Sequence, residues 1–249
     1  MSELAIELKN INKTYTVMDK DSQNLRGRII SLITHTNKRE IKGLSNINLE
    51  IKKGEFFGIM GHNGSGKSTL LRIMSGAYPP DKGGTVNMYG RYMLLSLGLG
   101  MNPKLTAREN IYLNASILGL TLKQIGQVFH EIVAFAELEE FVDTQVKYFS
   151  TGMAARLKFA VAVHADADIF LMDEFFGGVG DAGFKAKSEA VFHESLVKGR
   201  TIVHVSHVVK TIRAHCHRVL LLHQGEIVGI GTPDEIIPEY QKLSKKIRK

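Results

Sequence analysis

The rhythm of apolar and polar positions divides this chain into strands and helices. Phe56-Phe57-Gly58-Ile59-Met60 and Ile169-Phe170-Leu171-Met172 are short, unbroken apolar runs. That pattern predicts strands buried on both faces of a sheet. Thr201 to Ser206 reads the same way. Leu44 to Ile51 instead places apolar residues at 44, 47, 49 and 51, predicting a strand that ends at the Lys52-Lys53-Gly54 turn. Ile6-Glu7-Leu8 reads as a further strand, and Val219 to Leu222 and Ile227 to Ile230 flank Gln224-Gly225 as a hairpin. Helical signals occupy the middle third, about 105–165. Thr106-Ala107-Arg108-Glu109 is a capping box opening a helix through Leu118, and apolar residues recur at 153, 157, 160 and 161. Strands at both ends with helices between them predict one α/β domain over residues 1–249, with a helical sub-lobe at about 105–165.

Two segments escape this division. Residues 17–40 are polar and basic, with Leu25, Ile29, Leu32 and Ile33 at helical spacing. They read as a surface helix or as a piece that lies on a partner or a membrane. Residues from about 236 to 249, with Lys242, Lys245, Lys246, Arg248 and Lys249, read as a solvated basic tail.

Composition changes the picture little. Of 249 residues, 44% are hydrophobic and 23% charged, ordinary for a chain that buries a good core. No apolar run reaches the roughly 18 residues needed to cross a bilayer, and Ser2-Glu3 opens no secretory leader. Cys216 is the lone cysteine, which excludes an internal disulfide and fits a reducing cytosol. The net charge of +7 suits nucleic acid or an anionic membrane equally and does not choose between them.

Chemistry enters between the first apolar run and the helix at Thr69. Gly61-His62-Asn63-Gly64-Ser65-Gly66-Lys67-Ser68-Thr69 fits the phosphate-loop pattern without a mismatch. A strand turning sharply into a helix leaves backbone N–H groups converging on one concavity, where the helix dipole adds positive charge. A nucleoside triphosphate is the expected guest, with Lys67 on its β/γ oxygens and the Ser68 hydroxyl on Mg²⁺. The second apolar run ends in Asp173-Glu174. Asp173 is expected at Mg²⁺, and Glu174 is expected to polarise the water that attacks the γ-phosphate. His207, just past the third run, is placed to hold that water and the γ-phosphate.

The helix that follows residue 150 carries the element that names a family. Tyr148-Phe149-Ser150-Thr151-Gly152-Met153 precedes it, and the order of phosphate loop, helical insert, Ser150-Thr151-Gly152-Met153, Asp-Glu strand and histidine resembles the ATP-binding-cassette family. Leu97-Gly98-Leu99-Gly100-Met101-Asn102-Pro103, the run Leu105 to Ile111, and Val179-Gly180-Asp181-Ala182-Gly183-Phe184 look like its bacterial polysaccharide-export branch. The resemblance covers roughly residues 4 to 235. It implies a RecA-like P-loop NTPase core with an antiparallel β subdomain and an inserted α-helical subdomain.

It further implies that Ser150 to Met153 bind the γ-phosphate of ATP held by a second copy, so that a head-to-tail dimer closes on two ATP molecules. Asp181 would link the two sites. Tyr15 would stack on adenine, although it also reads as a partly buried strand tyrosine. The resemblance implies an ATPase that sits with separate integral membrane permease subunits at the cytoplasmic face of the inner membrane and does not bind nucleic acid. Its cargo would be a lipid-linked polysaccharide, ranked O-antigen, capsular polysaccharide, then teichoic acid. No carbohydrate-binding domain is expected after Thr232-Pro233-Asp234-Glu235. The chain departs from the family where a glutamine usually enters the helical lobe: about Ser96 to Gly98 has none. Phe175-Phe176-Gly177-Gly178 is also unusual for the branch. Two rival readings are a soluble cassette ATPase acting on ribosomes or DNA and a monomeric phosphate-loop kinase or GTPase.

Overall fold

The computed structural model describes residues 3–17, 39–96, 101–164, 167–173, 184 and 199–247. Two sheets organise them. The smaller pairs β1 (Leu4–Val17) antiparallel with β2 (Arg39–Lys52) and β4 (Thr85–Met88), in the order β2-β1-β4. The larger has the order β5-β6-β7-β3-β8-β9, from Tyr92–Ser96, Ile169–Asp173, Thr201–Val205, Phe56–Met60, Arg218–His223 and Glu226–Gly231. Its first five strands are mutually parallel and β9 runs antiparallel to β8.

The unbroken apolar runs are explained by burial on both faces of this larger sheet. Phe56, Met60, Phe170, Met172, Ile202, Val219 and Leu221 face one core; Phe57, Ile59, Ile169, Leu171, Val203, Val205, Leu220 and Leu222 face the other. Alternate residues of each strand thus feed opposite cores, as the pleat requires. The second core also holds α1 (Lys67–Met74) and the small sheet; the first holds the helical lobe.

That lobe comprises α2 (Ala107–Ile117), α3 (Leu122–Ala136) and α4 (Thr151–Val163). Thr106 and Thr121 both form complete capping boxes, with Glu109 and Gln124 answering them. Phe184 is buried, with Phe135 and Phe159 edge-on at 5.5 and 6.1 Å between centroids. After β7, α5 (Val209–His215) leads into the β8–β9 hairpin, whose Gln224 and Gly225 both have positive φ (49° and 82°). Two such residues make the type I′ turn that matches strand twist.

Three sequence expectations need amendment. The first two strands are 14 residues each, far longer than their apolar cores suggest. They extend through bulges at which Asn10 and Asn46 take left-handed φ of 50° and 47°. Asn12 and Asn48 bridge those bulges, Asn10 N donating to Asn48 Oδ1 and Asn46 N to Asn12 Oδ1. The third strand stops at Val205, one residue before the expected Ser206. Finally, much of the expected basic tail is helix: α6 spans Pro233–Ile247 and buries Ile236 and Ile237. The stretches read from 18–38 and 97–100, as well as Glu174 to Gly183, lie outside the described residues.

Candidate functional site

The chain leaves β3 at Met60 and enters α1 at Lys67, so residues 61–66 form the connection between a buried strand and a helix start. Gly66 caps α1 with φ +107°, and no side chain fills the cap. The first intrahelical bond runs from Leu70 N to Gly66 O at 2.9 Å. The helix ladder therefore begins at Leu70, and the amides ahead of it are those that a ligand at a helix start can meet. Close approach demands glycine at two points of this turn. A Cβ on Gly61 would lie 2.4 Å from both Leu222 O and Ser65 Oγ, and one on Gly66 would lie 2.7 Å from Gly43 O. Lys67 is buried, and its ammonium donates to the carbonyls of Gly61 (2.8 Å) and His62 (2.9 Å). A cation held by loop carbonyls beside the amides of a helix start is chemistry suited to a polyphosphate.

The parallel sheet brings the other candidates to the same edge. Ile59, Val205 and Asp173 are register partners across β3, β7 and β6, with all three strands running the same way. Asp173 thus stands two strands from the start of the loop, about 10 Å at ordinary strand spacing. It is half-buried at the carboxyl end of β6, the usual ligand edge of such sheets. The hydroxyl of Ser68 and the carboxylate of Asp173 are hard oxygen donors of the kind Mg²⁺ takes. His207 lies two residues past Val205 and is exposed; Ser206 Oγ accepts from Val208 N at 3.1 Å and shapes that exit. Glu174 and Asp181 are outside the described residues.

Tyr15 reaches the loop from the small sheet. Its hydroxyl donates to Thr69 Oγ1 at 3.2 Å, and a Cβ on Gly43 would come within 2.7 Å of its ring. Lys13 lies 6.0 Å from the ring centroid. Tyr15 is half-buried, and Tyr78 meets its ring edge-on at 6.4 Å between centroids.

Ser150 caps α4, a helix of the other lobe, packed on α2 and α3. Its Oγ accepts from Met153 N at 3.1 Å, which leaves its own hydroxyl hydrogen to donate elsewhere. Thr151, Gly152 and Met153 form the first turn of that helix. Hydrogen bonds within one chain assemble residues 61–69, Asp173, His207 and Tyr15 around one sheet edge. Residues 150–153 belong to a separate helix terminus.

Sequence patterns missed two contributors. Gly225 N donates to Ser65 O at 2.9 Å, while Gly225 O accepts from Ser45 N at 2.8 Å. A hairpin far along the chain therefore braces the loop. The signal was the Gln-Gly turn, but nothing local tells where its tip lands. Behind the sheet edge, His204 is fully buried, and burial first and the nearby His215 second push its imidazole down to about 4. Burial likewise pushes the Cys216 thiol up to about 12, so it packs as a small apolar group.

With the loop, the Asp173 strand and the capped helix placed, the class is a P-loop nucleotide-binding fold of the ATP-binding-cassette type. The ABC transporter family profile matches residues 44–177, more than half of the chain, and the chain belongs to that family. It is 36% identical over 248 residues to the O-antigen export system ATP-binding protein RfbB of Klebsiella pneumoniae, covering 96% of this chain and 98% of that one. It is also 36% identical over 248 residues to the teichoic acids export ATP-binding protein TagH of Lactococcus lactis, covering 100% of this chain. The chain spans about half the length of that relative, 53%. Among solved structures, a dimeric ATP-binding cassette in a post-hydrolysis state with ADP and Pi matches with a TM-score of 0.70 and 26% identity. That match covers 92% of this chain and 98% of the other. Among the described residues no helix is long and apolar enough to cross a membrane.

Proposed function

We propose that this chain is the ATP-hydrolysing subunit of a bacterial exporter of lipid-linked cell-surface polysaccharide, working as a pair beneath two separate membrane-spanning subunits. The observation that carries the ATPase reading is the single sheet edge shared by the Gly66-capped loop, Asp173 and His207. The export reading is supported by the likeness to O-antigen and teichoic acid export ATP-binding proteins. O-antigen remains the first cargo to test, with capsular polysaccharide and teichoic acid after it.

In this reading the backbone amides of the helix start from Gly66 to Thr69, with the Lys67 ammonium, hold the β- and γ-phosphates, and Tyr15 lies against adenine. Glu174 takes a proton from the attacking water, while His207 orients that water and the γ-phosphate. Ser68 and Asp173 would hold Mg²⁺, which would supply positive charge against the phosphate oxygens. Ser150 donates its hydroxyl hydrogen, and Gly152 its amide, to the γ-phosphate in the loop of the second copy; Asp181 connects the two sites. The exposed apolar residues Leu113, Ile117 and Leu122 on the helical lobe, near the described end of the Leu-Gly segment at Met101, suit contact with the membrane subunits. The protein would then sit at the cytoplasmic face of the membrane.

Glu174→Gln is the deciding variant. It should bind ATP and accumulate as a dimer on size-exclusion chromatography; turnover at the wild-type rate would remove Glu174 from its role. Co-purification with an integral membrane protein from detergent extracts supports the exporter, whereas pelleting with ribosomes would replace it.

A further inference from the structure

The C-terminal helix touches the phosphate loop through one side chain. His62 stacks on Tyr240 of α6, with ring centroids 5.0 Å apart and planes inclined by 21°. Ser244, one turn further along α6, places its Oγ 3.2 Å from His62 Nε2. The Ser244 hydroxyl gives its hydrogen to the Tyr240 carbonyl at 2.8 Å, so its oxygen accepts from the imidazole and selects the Nε2–H form. These contacts hold His62 from its face and from its edge.

The helix making them is fastened independently of the loop. Ile236 and Ile237 are buried in the core beneath the large sheet, and Arg213 of α5 pairs with Asp234 at 3.3 Å. From His62 the contact continues inward, because its carbonyl is one of the two that hold the Lys67 ammonium. A fixed helix, a stacked imidazole, a backbone carbonyl and the lysine of the loop therefore form one contiguous chain.

We propose that Tyr240 and Ser244 are positioning residues for ATP binding: acting through His62, they keep the first half of the phosphate loop in shape before nucleotide arrives. A loop already shaped loses less conformational freedom when the phosphates bind, so the contribution falls on affinity. The inference rests on residues 61–69 being the ATP loop.

The test is steady-state ATPase activity of the full chain, with equilibrium binding of a fluorescent ATP analogue. Tyr240→Ala should raise KM about three- to tenfold, as expected for loss of one aromatic pair, and leave kcat within about twofold. Tyr240→Phe keeps the ring and should restore the wild-type KM. His62→Ala should raise KM by a similar factor, and the double variant should be no worse than either single one, since both remove the same contact. An unchanged KM in folded Tyr240→Ala protein overturns the proposal, as does Tyr240→Phe as impaired as Tyr240→Ala, or additive effects of the two alanine variants. If Tyr240→Ala does not fold, Ser244→Ala decides: a KM raised about twofold or more with unchanged kcat supports the proposal, and a wild-type KM overturns it. Failure of the wild-type chain to bind the analogue at all would instead sink the reading of residues 61–69 itself.

Discussion

Two helix beginnings in this protein are built for an anion in opposite ways. At α1 the cap is Gly66, which offers no side chain to the amides of the first turn. At α4 the cap is Ser150, whose oxygen already satisfies Met153 N. The first terminus is walled by backbone from β2 and β8. The second has a side-chain cap and keeps, beside the first amides of its helix, a hydroxyl hydrogen to give away. In the proposed reading the first terminus is the cradle and the second completes the site of another copy.

The comparison breaks most readily at Lys67. Removing its ammonium with Lys67→Ala should weaken ATP binding by on the order of 10²- to 10³-fold in calorimetric titration, while the melting temperature holds. Retained affinity would mean that the loop's backbone alone suffices.

Acid should undo the sheet that carries the first terminus. The unfolded chain protonates His204 near pH 6.5, whereas the folded protein does so only at about 4. Stability from the neutral imidazole is therefore complete above pH 6.5 and declines as pH falls through that window, by roughly 3 kcal/mol at its end. His204→Leu should flatten the dependence of melting temperature on pH between 6.5 and 4; an unaltered profile would locate the titration elsewhere.

Ser150→Ala separates the two duties of the second terminus. Loss of the cap costs about 1 kcal/mol, a fall of about 2–4 °C in melting temperature for a chain of this size. Ser150→Asp should restore the melting temperature but not ATP hydrolysis, since a carboxylate caps a helix yet repels phosphate. Recovery of both would make the serine structural only. The smallest effect belongs to Thr121→Ala in the sub-lobe's other capping box, about 0.5–1 kcal/mol in chemical denaturation with ATP affinity unchanged. Reduced affinity there would mean that the lobes are coupled in the single chain.

Much of this was legible because the signals are local. The loop is one contiguous motif, the strand running into Asp173 is an unbroken apolar run, and both the Thr106 capping box and the Gln224-Gly225 turn declare themselves within four residues. What the sequence hid is long-range or masked by other chemistry. Asn10 and Asn46 break the alternation that would have lengthened the first two strands, although the ladder continues past them. Pro238 and the lysines near the C-terminus obscured the helical set Ile236, Tyr240 and Leu243, which packs on the core. The stacking of Tyr240 on His62 joins residues far apart in sequence, and no periodicity announces such a pair.

One residue, Gly225, touches Ser65 with its amide and Ser45 with its carbonyl. It stitches the loop's floor to the strand pair that carries Tyr15. Base and triphosphate would consequently be gauged by one stiff ruler, so a nucleotide with the wrong spacing between ring and phosphates could not be accommodated by either sheet yielding alone.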